Sequence, residues 1–542
     1  MDCGLWVALM AKPIYLTTPL YYVNAAPHIG HSYTNVAADC LARYHRLKGN
    51  QVFLLTGTDE HGQKIEQAAA SAGKDPQAFV DEVVEQFRGL WKLLSISHDD
   101  FIRTTEPRHV TAVQAVLARL HDGGKLKRAS YQGWYCTPDE TFWTEGELGE
   151  AAVRGGSPAC PMCQRPLEPA KEEGWYLELR AAQPWLTSFV KAHPAFVRPE
   201  SRYNEIASLL EQPLPEYLCI TRPRHRVNWG IPVPFSGDHV VYVWFDALLN
   251  YITVPGYVSD PARFARLWPA NVHLIGKDIL RHHAVYWPIM LHALGLPDDQ
   301  MPKAIFAHGW WKIGEQKMSK SFGNIVNPAV VITQVLKGQP YAADAYRYFL
   351  LREVPFGQDG SFSEDAILIR LNADLANDLG NLVNRTCSMI ERYAHGTIPP
   401  AAPVGCAVED EPLRQAAVRL AATLEEALAR IEFSTALEAI MRVVTQANQY
   451  IETAAPWKLA KQEDASPRLQ AVLRVLAEVI RIIAIALEPF MPAVAEAIWR
   501  QLGCGETPRR LQDIAVWPGL AAGQPLGPHP VLFPRSDATT AP

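Results

Sequence analysis

Two histidines and two lysines carry the first chemical signal in this chain. His28 and His31 bracket Gly30 in Pro27-His28-Ile29-Gly30-His31, between a β-rich stretch and a helical pattern. A helix start presents unpaired backbone N–H groups and partial positive charge, which suit a phosphate. Gly30 has no side chain, so a flat base can approach the backbone closely. The imidazole N–H groups can donate to phosphate oxygens as charge develops there. Two exposed histidines beside a helix start would look the same, and this string alone does not separate the readings.

Far downstream stands Lys317-Met318-Ser319-Lys320-Ser321, followed by Gly323. Two lysines on a short polar loop can neutralise a leaving pyrophosphate, with Gly314 and Gly323 as hinges. The plain alternative is a solvated basic loop. By chance the string would arise in roughly one such chain in several thousand, and finding it after the histidines excludes coincidence.

Three further strings carry chemistry. Thr56-Gly57-Thr58-Asp59-Glu60-His61-Gly62 ends a strand pattern, where a carboxylate can pair with a substrate ammonium or merely cap a helix. Val243-Trp244-Phe245-Asp246-Ala247-Leu248-Leu249-Asn250-Tyr251 and Gly276-Lys277-Asp278-Ile279 combine aromatic and acidic groups. Cys160-Pro161-Met162-Cys163 has knuckle spacing, and Cys136-Thr137-Pro138-Asp139 precedes it. Aspartate binds zinc at about 2.0–2.2 Å, so three cysteines and Asp139 can form a tetrahedron. The alternative is free thiols in a turn held by packing.

These strings need a scaffold, and 542 residues imply several domains. At 48% hydrophobic and 20% charged the chain has material for substantial cores. Its net charge of −6 excludes coating nucleic acid by charge alone. Nine thinly spread cysteines exclude a disulfide framework and point to a reducing, cytoplasmic setting. Val472 to Leu487 is interrupted by Arg474, Glu478 and Arg481, which suits a buried amphipathic helix rather than a membrane span.

Residues 1–11 read as an N-terminal extension outside the fold, with Asp2 where a signal peptide would be basic. Strand and helix patterns alternate over 12–126, predicting an α/β fold with a parallel sheet. Residues 127–232, rich in Pro, Gly, Trp and Cys, read as an insertion, and the α/β pattern resumes over 233–365 with strands at Val240–Trp244 and Val272–Ile275. Residues 366–518 are helical, with Leu413, Ala417, Leu420, Leu424, Leu428 and Ile431 on one face and Leu437, Ile440, Val444, Ala447 and Ile451 on another. Residues 519–542 read as a flexible Pro- and Gly-rich tail.

The histidine and lysine strings together resemble the motif pair of class I aminoacyl-tRNA synthetases, and the likeness runs along nearly the whole chain. It implies a Rossmann-type catalytic domain with a zinc-knuckle-like insertion, followed by an all-α helix-bundle anticodon-binding domain. It implies ATP with Mg2+ bound by His28, Gly30, His31, Gly276, Asp278, Lys317 and Lys320, with the two histidines and two lysines stabilising the transition state. The remaining strings resemble methionyl-tRNA synthetases. In that family Asp59 would hold the α-amino group of L-methionine, assisted by the carbonyl of Leu20. Tyr22, Trp244, Ala247, Leu248, Tyr251, Ile279 and His283 would line the side-chain pocket, and aromatic walls suit a thioether.

The same resemblance implies that Asn381, Arg385, Pro456 and Trp457 read the CAU anticodon of tRNA(Met), and that Cys136, Asp139, Cys160 and Cys163 hold a structural Zn2+. The insertion is too short and cysteine-marked for the editing domain that Leu, Ile or Val enzymes need. Some relatives dimerise through a C-terminal oligonucleotide-binding domain, and the Pro-rich end here implies a monomer without a membrane partner. Three alternatives stay open: a cysteinyl enzyme of the same class, a synthetase-like protein that only binds tRNA or a partner, and a ligase that stops at the adenylate.

Overall fold

The computed structural model describes residues 12–143, 145, 148, 158–161, 163–313, 316–317, 326–400, 408–462 and 466–536. The expected extension 1–11 and the loop residues Met318 to Gly323, Lys320 among them, lie outside these. Seven segments form one sheet: β1 (Ile14–Thr17), β2 (Tyr21–Tyr22), β3 (Val52–Asp59), β4 (Asp100–Arg103), β8 (Val197–Arg198), β12 (Val272–Gly276) and β13 (Ile305–His308). Every pairing is parallel, and the order across the sheet is β4, β3, then β1 with β2, then β12, β13 and β8. Chain order thus runs outward from the β1–β12 pair, with the edge strand β8 as the exception. The crevice beyond the carboxyl ends of those two strands is the topological switch point, where open α/β sheets take ligands.

Parallel strands covered on both faces need apolar residues on both. Leu55, Ile102, Ile275 and Ile305 of the sheet share a core with Val113, Val116, Leu117 and Leu120. The last four are spaced as one face of the helix Pro107–Asp122. Each such side chain contributes about 1.5–3 kcal/mol on burial.

The segment read as an insertion is more regular than its composition implied. β5 (Leu126–Cys136), β6 (Thr141–Trp143), β7 (Glu168–Glu178) and β9 (Tyr217–Cys219) form an antiparallel sheet in the order β6-β5-β7-β9. Along β7, Ala170, Glu172, Gly174 and Tyr176 alternate inward. An inward glutamate hides that period in sequence. Arg222 neutralises it at 2.8 and 3.0 Å and lies 4.2 Å from the Tyr135 ring. The segment also supplies β8 to the main sheet. Trp244, expected at the end of a strand, lies instead on the helix Val243–Leu248.

Contacts divide the described residues into two compact units, those within 12–27, 51–89 and 98–308, and those within 28–50, 90–97 and 309–536. The histidine-bearing helix Ile29–Leu47 belongs to the second because its buried face is satisfied there. Ser32 Oγ lies 2.8 Å from the Tyr346 hydroxyl, and Asp39 pairs at 2.7 Å with fully buried Arg347. Arg347 also donates to the carbonyls of Leu94, Pro489 and Phe490.

The helical half contains Glu364–Arg370, a wide-turned Leu371–Gly380, Asn381–Tyr393, Glu411–Ala429, Phe433–Ala454, Ser466–Leu487 and Pro492–Gln501. The expected Leu413 and Leu437 series are buried. The helix Ser466–Leu487 is not amphipathic: it is buried on all sides from Val472 to Leu487. Its three charges are paired among themselves, with Glu478 accepting from both Arg474 (2.9 Å) and Arg481 (2.7 Å). Among the described residues no helix is long and apolar enough to cross a membrane.

The expected flexible tail needs correction over 519–536. Glu478 Oε1 accepts the backbone N–H groups of Gly519 and Leu520 at 2.9 and 2.8 Å. Leu526 N–H donates to Gly396 and Gly527 N–H to Gln501, and Leu532 and Phe533 are buried. A Pro- and Gly-rich composition leaves few internal hydrogen bonds, so this strap borrows partners from the helices. Glu478→Ala would leave two buried guanidinium groups uncompensated, a loss of about 3–5 kcal/mol. The expected result is a lower melting transition together with faster amide exchange at Gly519 and Leu520. An unchanged transition and unchanged protection would refute this account of the strap.

Candidate active site

β3 delivers its carboxyl end to the switch point, and the string Thr58-Asp59-Glu60-His61-Gly62 follows. Glu60 is fully buried and saturated. It accepts from Arg103 (2.7 and 2.9 Å), Thr58 Oγ1 (2.6 Å) and Thr105 Oγ1 (2.6 Å). Asp59 is the opposite case. It is 2% exposed, and its Oδ1 takes no hydrogen bond from the described residues. Burial, then the charges of Asp246 and Glu140, hold its carboxyl well above the usual carboxylate range. A cation bound beside it would reverse that shift. The helix-cap reading fails, because the N-cap of the helix Gln63–Ser71 is Gly62 and the side chain that accepts from its first turn is Glu140, at Lys64 N–H.

Aromatic groups wall the same end of the sheet. Tyr22 lies opposite Asp59 in register, and its ring meets Trp244 edge-on at 6.3 Å. Trp244, Ala247, Leu248 and Tyr251 are spaced as one helical face, on Val243–Leu248 and Asn250–Thr253. Tyr251 OH lies 2.9 Å from His283 Nε2, and His283 Nδ1 lies 3.0 Å from the Ile279 carbonyl. Nδ1 therefore carries the proton and Nε2 accepts from Tyr251. Burial pushes the His283 imidazole down to about 4, so it is neutral at pH 7. Leu20, just after β1, is half-buried against the core. Gly276 ends β12, and a Cβ there would come 2.5 Å from Asp278 Oδ1, on an exposed residue.

The two histidines of the first string sit in the second unit. His28 Nδ1 accepts from Gly30 N–H and His31 Nδ1 from His28 N–H, both at 3.1 Å. Both rings then carry their proton on Nε2, and the rings stack 3.8 Å apart. Ile29 N–H donates to Val326 O, just beyond the lysine string. β14 (Trp311–Ile313) pairs with β15 (Gln316–Lys317), placing the Lys317 backbone opposite Lys312, and Trp311 packs on Tyr33 of the histidine helix. Lys320 lies outside the described residues.

Cys136, Asp139, Cys160 and Cys163 converge, with one donor atom from each within 4.8 Å of the others. Burial pushes the Cys163 thiol up to about 11, a bias that a bound cation would reverse. Three soft sulfurs and one carboxylate in this spacing fit tetrahedral zinc. In the helical half, the Arg385 guanidinium lies 5.7 Å from the Trp457 ring and pairs with Glu452 at 2.8 Å. Asn381 is exposed and Pro456 is buried at the start of the short helix bearing Trp457.

Sequence reasoning gave no role to three groups of this site. Asp246 is fully buried between His61 Nδ1 and His109 Nε2, both at 2.7 Å. His282 stacks on Trp244 at 3.8 Å. Glu140 is buried beside the knuckle. An aspartate inside the apolar string Val243–Leu249 was the available signal, since a buried charge requires partners.

A parallel-sheet domain with this pocket, followed by a helical domain, defines the class I tRNA synthetases, and comparison agrees. The family model for tRNA synthetases class I (M) matches residues 14–387, and that for the anticodon-binding domain of tRNA ligase matches 410–518. The chain belongs to that class I synthetase family. A methionine--tRNA ligase of Clostridium acetobutylicum is 44% identical over 527 residues, covering 97% of this chain and 78% of the relative. One from Bacillus subtilis is 43% identical over 537 residues, with the same two coverages. The Mycobacterium tuberculosis methionyl-tRNA synthetase, solved with methionyl-adenylate, matches with a TM-score of 0.90 at 40% identity, covering 97% of this chain and 100% of that one.

Proposed function

We infer that this chain is a methionine--tRNA ligase that joins L-methionine to tRNA(Met) at the expense of ATP. The observation that carries this is Asp59, a buried carboxylate with an open oxygen at the switch point, beside an aromatic wall. Its place suits the substrate ammonium, with the Leu20 carbonyl as second acceptor. Tyr22, Trp244, Ala247, Leu248, Tyr251, Ile279 and His283 offer the thioether polarizable, apolar contacts.

The methionine carboxylate attacks the α-phosphorus of ATP, and diphosphate leaves with its Mg2+. The terminal ribose hydroxyl of tRNA then attacks the adenylate carbonyl, and AMP leaves. No protein nucleophile is required, so positioning and charge do the catalysis. His28 and His31 offer Nε2–H donors to the phosphates. Lys317 and Lys320 neutralise the diphosphate, Gly30 and Gly276 allow close approach, and Asp278 takes the ribose. The product supplies initiation and elongation of translation.

Asn381, Arg385, Pro456 and Trp457 form the reading surface for the CAU anticodon, with Trp457 stacking on a base. Cys136, Asp139, Cys160 and Cys163 hold a structural zinc that staples the insertion. The seven described cysteines are unbridged, which suits a cytoplasmic protein. The proposed domains keep the boundaries 12–126, 127–232, 233–365 and 366–518.

Methionine-dependent pyrophosphate exchange, with and without tRNA, tests the reading directly, and exchange supported by cysteine instead would overturn it. Asp59→Ala removes a charge-assisted hydrogen bond worth about 1.5–3 kcal/mol, so methionine activation should fall at least tenfold with the fold intact. Unchanged methionine kinetics would remove Asp59 from the site. Trp457→Ala should cost about 1–3 kcal/mol of tRNA recognition while sparing exchange. Equal damage to both reactions would assign Trp457 a folding role. Among the described residues the exposed large apolar side chains, Val258, Val330, Ile369, Val408, Val516 and Val531, are scattered along the chain, which favours a monomer. Light scattering at micromolar concentration should give the chain mass of 60.3 kDa, and twice that value would refute it.

A further inference from the structure

The turn between β5 and β6 serves two sites at once. Cys136 and Asp139 supply two of the four clustered donors, and Glu140 is the next residue. Glu140 is 1% exposed at φ +48°, a left-handed conformation that a side chain keeps only where its surroundings fix it. Its Oε1 accepts from Lys64 N–H at 2.8 Å and its Oε2 from Tyr22 OH at 3.4 Å. The neighbouring backbone is engaged as well. Tyr242 OH donates to the Glu140 carbonyl, Trp244 Nε1 to the Asp139 carbonyl (3.4 Å), and Lys64 Nζ to the Pro138 carbonyl (3.1 Å).

Space is reserved for this carboxylate. Gly62 stands at φ +104°, and a Cβ there would come 2.5 Å from Glu140 Oε2. Lys64 Nζ lies 5.1 Å from the centre of the Tyr22 ring, so cation and carboxylate hold that ring from two sides. Of three consecutive residues, Glu140 therefore grips Tyr22, Asp139 grips Trp244, and Pro138 holds the Lys64 ammonium beside the Tyr22 ring. Both ends of the grip depend on the donor cluster, since Cys136 and Asp139 define the turn.

We propose that Glu140 is a positioning residue for the amino acid, seating Tyr22 while its turn seats Trp244, and that metal held by Cys136, Asp139, Cys160 and Cys163 thereby sets methionine affinity. This rests on the reading of that pocket as the methionine site. Removing the carboxylate frees the Tyr22 hydroxyl and the Lys64 N–H, and one aromatic wall loses its seat. Removing the metal loosens the turn and acts on the same wall.

Glu140→Ala and Glu140→Gln in the full chain test this, read by zinc content, by methionine dialysis without ATP, and by the KM values in exchange. Glu140→Ala should keep about one equivalent of zinc. Its methionine Kd and KM should rise about tenfold, with ATP KM and kcat within about twofold. Glu140→Gln keeps an acceptor for Lys64 N–H and should return methionine Kd to within about threefold of the parent. Stripping zinc from the parent should raise methionine Kd comparably, and stripping Glu140→Ala should add little, because both act through one contact.

Unchanged methionine Kd in Glu140→Ala would overturn the proposal, as would equal losses in Glu140→Ala and Glu140→Gln, which would make the charge a direct contact. Loss of zinc with a lowered melting transition in Glu140→Ala would reduce the residue to a structural one. Under about a tenth of an equivalent of zinc in the parent would overturn the metal coupling. A parent that binds no methionine would instead overturn the reading of the pocket, and the proposal with it.

Discussion

Asp59 is a buried carboxylate with one oxygen unspoken for, and the architecture of the first unit follows from keeping it so. A buried charge without a partner is costly, and the usual outcome is a neutralised group or a saturated one. Glu60, one residue away, takes the saturated route through Arg103, Thr58 and Thr105. Asp246 takes it through two histidines. Asp59 is denied such partners, and its carboxyl is held high by burial and by Asp246 and Glu140. A cation brought beside that open oxygen would draw the carboxyl back to its charged form.

Rigid walls are the other half of that design. Tyr251, His283, Ile279, His273 and Trp287 are linked by hydrogen bonds and ring contacts, with each imidazole fixed in one tautomer by its neighbours. In the second unit the same logic fixes the two histidines: backbone N–H groups occupy Nδ1 of His28 and of His31. The helix that bears them is anchored by the Asp39–Arg347 pair.

Much of this was legible in the chain order. Short strings named the class of chemistry because phosphate handling requires glycine, histidine and lysine at fixed local spacing, and local spacing is what a sequence displays. The helical half was legible for a related reason. Apolar residues at 413, 417, 420, 424 and 428 can share a face only on a helix. Misreadings fell where a polar residue occupied an inward position. Glu172 hid the alternation of β7, and the three charges of Ser466–Leu487 suggested a solvated face where Glu478 ties a strap of backbone. The Pro- and Gly-rich strap was misread because its order comes from partners far away in sequence.

The sequence alone determined the chemistry-bearing strings, their order, the alternation of strand and helix, and the acidic, aromatic and sulfur groups available. Tertiary structure decided what each group is free to do. Of the adjacent carboxylates Asp59 and Glu60, residue type gives no ground for choosing the one with an open oxygen; Arg103, brought alongside by β4, makes that choice. His61, His109 and Asp246 meet only because two helices and a loop converge, and Glu140 reaches Tyr22 only because Gly62 leaves room. The physical reason is common to all of them. Burial and partnership set the charge and reactivity of a side chain, and both arise from contacts between residues far apart in the chain.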